Sequence, residues 1–248
     1  MQYLTLLYGS DDTTTAPGAP DFDDVLARYD RFNERNGEAI VAGDALEGPG
    51  TAVTVRPGDG APLVTDGPFA ETAEGIGGLY VLEADTLDDA IELAQQIPAA
   101  ATGGVELRPL VMWQDADAEG GPDMGRAAAA AASEGSSRWV ALLRGKETEA
   151  DIPGTPAWDE AAAAHGRFST SAGDGLRGGG AIQPLAAATA VRVRDGEVLV
   201  TDGPYAEGNE VVGGLYLFRR MSRDAAVALA ARIPAEVVEL HRVMEVRP

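Results

Sequence analysis

Apolar residues run together from Tyr3 to Tyr8 and stop at Gly9, the pattern of a short buried strand. The polar, turn-forming residues SDDTTTAPGAP follow and read as a loop. Phe22, Val25, Leu26, Tyr29 and Phe32 then recur at spacings of three and four, so the chain from Asp21 is an amphipathic helix with one buried stripe, stopped at Asn36-Gly37. Ala39 to Leu46 and Ala52 to Arg56 read as strands joined across EGPG, and PGDGAP turns the chain back to Leu63 and Val64. Gly77-Gly78 leads into a further strand, LYVLEA. Thr86 with Asp89 has the spacing of a capping box, and Leu87, Ala90, Ile91, Ala94 and Ile97 form the stripe of a second helix, which Pro98 is expected to end. Val105 to Met112 completes the unit as a strand. The order of strand, helix, strands, helix, strand is close to the split strand-helix-strand plan of ferredoxin-like α+β domains.

The pattern then occurs a second time. LVTDGPFAETAEGIGGLY, Leu63 to Tyr80, returns without a gap as LVTDGPYAEGNEVVGGLY, Leu199 to Tyr216, at a constant offset of about 136 positions. Trp139 to Leu143 replaces the first strand. Trp158, Ala161, Ala162, His165 and Phe168 reproduce the first helix stripe, and Leu229, Ala230 and Ile233 part of the second. Gap-free similarity reaches Pro98 and Pro234, and only the last loop differs in length. The chain therefore divides into a first domain at 1–113, a linker at 114–136 and a second domain at 137–248. The linker is acidic and glycine-rich and ends in six alanines, Ala127 to Ala132, a run without an amphipathic pattern.

Composition narrows the partners. Forty acidic residues against 19 basic ones give a net charge of −21, which repels phosphate backbones and anionic lipid, so neither nucleic acid nor membrane is expected as a partner. With no cysteine there is no disulfide framework, no thiolate chemistry and no cysteine-based metal site. The N-terminus has no basic region and only a short apolar run, and no segment approaches the length of a membrane span, so a cytoplasmic protein is expected.

The motif Leu-Val-Thr-Asp-Gly-Pro-Phe/Tyr-Ala-Glu, followed by Gly-Gly-Leu-Tyr and a helix ending in Ile-Pro, resembles the YCII-related domain in its DGPF subgroup, across both copies almost end to end. The resemblance implies two ferredoxin-like domains whose sheets pair into a dimeric α+β barrel, within the chain or between chains, with a homo-oligomer open as an alternative. It also implies that a histidine and an aspartate are the residues suspected of catalysis. One relative of this kind removes chloride from a chlorinated hydroxyquinone without a cofactor, and members of the subgroup are often encoded beside extracytoplasmic-function sigma factors. Two functions follow from the resemblance. One is a small-molecule-binding protein, acting as a cofactor-independent lyase or isomerase through Asp202 with His165. The other is an accessory or regulatory module whose partner is a sigma factor or another protein.

The residues themselves leave several roles open. Asp66 and Asp202 stand at a strand end before Gly-Pro, where an aspartate either holds the turn or serves as a general base. Thr65 and Thr201 precede them, able to bond a ligand or the turn. Glu71 and Glu207, with Glu74 and Glu210, add carboxylates at fixed distances, but no histidine or dense acidic loop accompanies them and no metal site is expected. Arg56 and Arg192 recur on the strand before the motif, and Arg31 and Arg167 on the first helix, as anchors for an anionic ligand or members of structural ion pairs. The glycines do not match a phosphate-cradling fingerprint, because neither group opens into a helix. Both histidines belong to the second copy. His165 replaces Tyr29 on an apolar stripe, which favours a half-buried structural histidine over a general base, and His241 replaces Arg108 and reads as a strand residue without a special role.

Overall fold

The computed structural model describes residues 1–9, 19–58, 60–69, 74–115, 135–205 and 211–245. The alanine run lies outside them. The first copy supplies β1 (Gln2–Gly9), α1 (Phe22–Asn36), β2 (Ile40–Ala45), β3 (Val53–Arg56), β4 (Leu63–Asp66), β5 (Gly75–Glu83), α2 (Leu87–Ala94), α3 (Pro98–Thr102) and β6 (Gly104–Asp115). The second supplies β7 (Ser136–Gly145), α4 (Pro156–Ala172), β8 (Leu176–Ile182), β9 (Thr189–Arg194), β10 (Glu197–Asp202), β11 (Val211–Ser222), α5 (Arg223–Ala230) and β12 (Val237–Arg242).

Local rules account for most of these boundaries. Thr86 and Asp89 exchange side-chain and backbone bonds as a complete capping box, which fixes the start of α2. Pro98 differs from expectation. It does not simply end a helix but occupies the first turn of the short α3, where its missing N–H has no partner to lose. The strand before the presumed linker continues to Asp115, because β6 has a neighbour along its whole length.

In each copy four strands make an antiparallel sheet in ferredoxin-like order, β2-β5-β1-β6 and β8-β11-β7-β12. The two sheets join into a ring. On one side β6 pairs with β8 from Leu110↔Ile182 to Asp115↔Gly178. On the other, Leu46 bridges Val243, flanked by backbone bonds from Glu47 N to Arg242 O and from Met244 N to Ala45 O. The fold is therefore α+β, with two ferredoxin-like domains paired in a barrel whose staves come from both copies.

The remaining strands form two hairpins, and each is given to the other copy. The β3–β4 hairpin of the first copy pairs with β12 through Val53↔Leu240, Thr54↔Glu239 and Val55↔Val238. The β9–β10 hairpin of the second copy pairs with β6 through Val105↔Val191, Glu106↔Ala190 and Leu107↔Thr189. Burial secures the exchange. Val53 and Val55 enter the apolar layer beneath α4 and α5, with Phe168, Leu229 and Leu240, and Val191 enters the layer beneath α1 to α3, with Phe32, Ile97 and Leu107. A fully buried valine is worth about 1.5–3 kcal/mol relative to an exposed one, so each hairpin is anchored by side chains of its host rather than by its own turn.

Strand alternation sorts the interior. Leu4, Leu6 and Tyr8 of β1, with Val140 and Leu142 of β7, face the barrel, while Tyr3, Leu7, Trp139 and Ala141 face the helices. The inward positions of β6 and β12 are different, since Glu106, Arg108, Glu239 and His241 occupy them and all are buried.

Candidate functional site

Val-Glu-Leu occurs in both β6 and β12, followed by Arg108 in one and His241 in the other. Val105 and Leu107, like Val238 and Leu240, pack under helices, so the glutamates and the residues two places on point into the barrel. Glu106 lies opposite Leu6 of β1 and Glu239 opposite Leu142 of β7, at equivalent heights.

Each glutamate receives the hairpin that the other copy donates. Glu106 Oε2 accepts the backbone N–H of Tyr205 at 2.9 Å, and Glu239 Oε2 accepts that of Phe69 at 3.1 Å. Tyr205 and Phe69 are the aromatic residues that close the two Asp-Gly-Pro motifs, so the motif's backbone is fixed by a buried carboxylate of the opposite copy. Gly67 and Gly203 make the turn possible at φ of 101° and 105°, a region other residues enter only with strain. Arg56 lies over Phe69 at 4.9 Å and Arg192 over Tyr205 at 3.9 Å, which gives these recurring arginines a cation–π role.

The two halves differ in what else the glutamate holds. In the second copy, Glu239 Oε1 accepts from His241 Nε2 at 2.6 Å and from Arg144 Nη2 at 3.2 Å, and Arg144 Nε lies 3.1 Å from Oε2. Burial by itself raises the Glu239 carboxyl, but the bond from His241, the Arg144 and His241 charges and the Phe69 N–H outweigh it and hold the group at about 2. With Glu239 ionised, Nε2 of His241 must carry the proton that it donates. The other ring nitrogen, Nδ1, is buried and has no hydrogen-bond partner within the described protein.

In the first copy the cation is Arg108. Nη1 lies 3.4 Å from Glu106 Oε1 and donates to Val212 O at 3.2 Å, while Nη2 donates to Gln183 O at 2.8 Å. Its Nε is also buried without a partner among the described residues. Tyr8 stands where the second copy has Arg144, and its ring stacks on Tyr205 at 4.6 Å. Burial pushes the Tyr8 phenol far up, Glu106 adds to the rise, and Arg144 and Arg108 partly oppose it, so Tyr8 keeps its proton. Charges from both copies thus act on one phenol inside the barrel.

The residues singled out from sequence lie around this layer. Asp66 is 85 % exposed at its side chain and pairs with Arg223 at the start of α5. Asp202 is exposed on β10, opposite Thr189, and Thr65 and Thr201 are exposed on the same outer strands, opposite Thr54 and Ala190. His165 is on α4, over the second sheet, whereas Asp202 belongs to the hairpin that extends the first. His165 Nδ1 meets the Tyr216 hydroxyl at 2.9 Å, and burial depresses its pKa while Asp151 opposes the fall. Glu74 accepts the Tyr205 hydroxyl at 2.7 Å. Glu71, Glu207 and Glu210 lie outside the described residues. Arg31 and Arg167 are exposed. Among the described residues no three histidine or carboxylate side chains are grouped as metal ligands, and no helix is long and apolar enough to cross a membrane.

The ring of two ferredoxin-like sheets, locked by exchanged hairpins, defines a tandem α+β-barrel protein with a buried acid–base layer. The YCII-related domain matches it twice, at residues 1–114 and 130–248, and the chain belongs to that family. An uncharacterised protein of Rhizobium meliloti (strain 1021) is 31% identical over 118 residues, which are 46% of this chain and 95% of that protein. It corresponds to one copy. The solved structure "Crystal structure of Putative Chlorite dismutase TA0507" aligns over 98% of this chain and 94% of that chain at 10% identity and a TM-score of 0.40, a distance at which the likeness carries no argument about function.

Proposed function

We propose that the chain binds a small organic molecule in its barrel and moves a proton on it with His241, as a cofactor-independent lyase or isomerase. The supporting observation is the Glu239–His241 pair, in which the carboxylate holds the ring through Nε2 and leaves the buried Nδ1 without a partner among the described residues. A histidine oriented through one nitrogen and free at the other has the arrangement that general base catalysis requires.

The chemistry balances with the chain's own groups. A C–H bond beside a carbonyl breaks, its proton passes to Nδ1, and the electron pair moves onto the carbonyl oxygen as an enolate. Return of the proton to a different carbon gives isomerisation, and collapse of the enolate with loss of a β-substituent gives a lyase. The imidazolium formed in either case faces Glu239, already ionised. In this reading His241 has the role that sequence gave to His165, which is engaged with Tyr216 on the far side of the second sheet. Asp66 and Asp202 are left with the hairpin turns.

The test is deuterium incorporation from D2O into a panel of small ketones, esters and oxo acids, followed by proton NMR. We expect exchange by the wild-type chain, loss of at least about a hundredfold in His241→Gln, whose amide still bonds to Glu239, and near-normal exchange in His165→Gln. Exchange that survives His241→Gln, or no exchange with any compound, overturns the reading.

A further inference from the structure

We propose that the ligand is a small carboxylate, gripped by Arg108 of the first copy while His241 of the second acts on it. The inference rests on the reading above and names its substrate class. Arg108 and His241 follow the same Val-Glu-Leu in β6 and β12, so the duplication places them at equivalent depths on opposing walls of one barrel. Both are 1% exposed. Each retains a buried nitrogen without a partner in the described protein, Nε on Arg108 and Nδ1 on His241.

The two guanidiniums of the layer are not equally neutralised. Arg144 reaches Glu239 with contacts of 3.1 and 3.2 Å, and although its Nε also makes no hydrogen bond among the described residues, that nitrogen lies within ion-pair distance of the carboxylate. Arg108 has one carboxylate contact, with Glu106 at 3.4 Å, and its closer bonds go to the neutral carbonyls of Val212 and Gln183. The other oxygen of Glu106 is engaged by the N–H of Tyr205. Arg108 is therefore a desolvated cation with a long counter-ion contact and an unused N–H, a combination whose complement is an anionic oxygen. A carboxylate at Nε, joined to the carbon that faces Nδ1, would use both unpartnered atoms at once. The duplication then has a purpose that a pair of identical subunits would lack, since one copy keeps an anchor where the other keeps a base.

Pyruvate and methyl pyruvate test this on the full chain, with the side-chain nitrogen resonances of His241 as the readout. Saturable shifts at Nδ1 with pyruvate, at least about tenfold weaker binding of the uncharged ester, and an equal loss of pyruvate affinity in Arg108→Lys are expected. The acid–ester comparison needs no variant, so it stands even where Arg108→Lys is poorly folded. Equal binding of acid and ester overturns the carboxylate assignment while leaving the role of His241 intact. No response of His241 to either compound overturns the assignment as well, and deuterium exchange across the wider panel then judges the role of His241 separately.

Discussion

Glu239 joins three things that a single residue seldom joins. It holds the base candidate His241, neutralises Arg144, and accepts the N–H of Phe69 from the other copy. Substitution by glutamine removes the charge while keeping the shape, leaving Arg144 buried without its counter-ion. Breaking a buried pair in this way typically costs about 3–5 kcal/mol, and urea unfolding of Glu239→Gln is expected to show a loss in that range. The same carboxyl makes stability depend on acid. Its folded value of about 2 lies below the ordinary 4.5, so its contribution is complete above pH 4.5 and is lost as the pH falls towards 2. Wild-type stability measured across that interval should fall more steeply than that of Glu239→Gln, and parallel curves would refute the assignment.

At the scale of the element, the exchanged hairpins decide which parts of the chain depend on which. Val55 belongs to the first copy by sequence but is fully buried in the layer beneath α4 and α5. Val55→Asp places an unpaired charge in that layer. Amide exchange should consequently quicken in β12 and α5 of the second copy more than in β1 or β5 of the first, and the opposite order would contradict the exchange. Periodicity made α1, α2 and their counterparts legible, and Thr86 with Asp89 marked a helix start. The destination of the hairpins was not legible, because Val-Thr-Val-Arg has the same alternation whichever sheet it joins. Glu106 and Glu239 were also missed. Arg108 and His241 were matched across the copies, but the glutamate two places before each was not read as part of a site, because gap-free similarity ends at Pro98 and Pro234, where the last loops differ in length. A glutamate at an inward strand position, repeated in β6 and β12, was the available signal. His241 was read as a strand residue without a special role, since its meaning depends on the glutamate two residues before it.

For the whole molecule, the ring and the hairpins together remove any division between the copies. Neither sheet has its full complement of strands without the other copy, as β12 needs β3 and β6 needs both β8 and β9. A second tie is electrostatic. Buried Asp44 of β2 bonds Arg138 of β7 at 2.9 Å and lies 3.5 Å from Arg177 of β8, which in turn holds Asp115 of β6 at 2.8 Å. Two domains joined only by a tether melt independently, whereas domains whose cores contain one another's side chains cannot. Scanning calorimetry is therefore expected to give a single transition for the 248-residue chain, with calorimetric and van't Hoff enthalpies in agreement. Cutting the chain between Asp115 and Ser136 should leave the two pieces associated, because the strand pairings and buried ion pairs that unite them join described residues on either side of the cut. Two resolved transitions in the intact chain, or separation of the cut pieces under native conditions, would show that the barrel is not the cooperative unit.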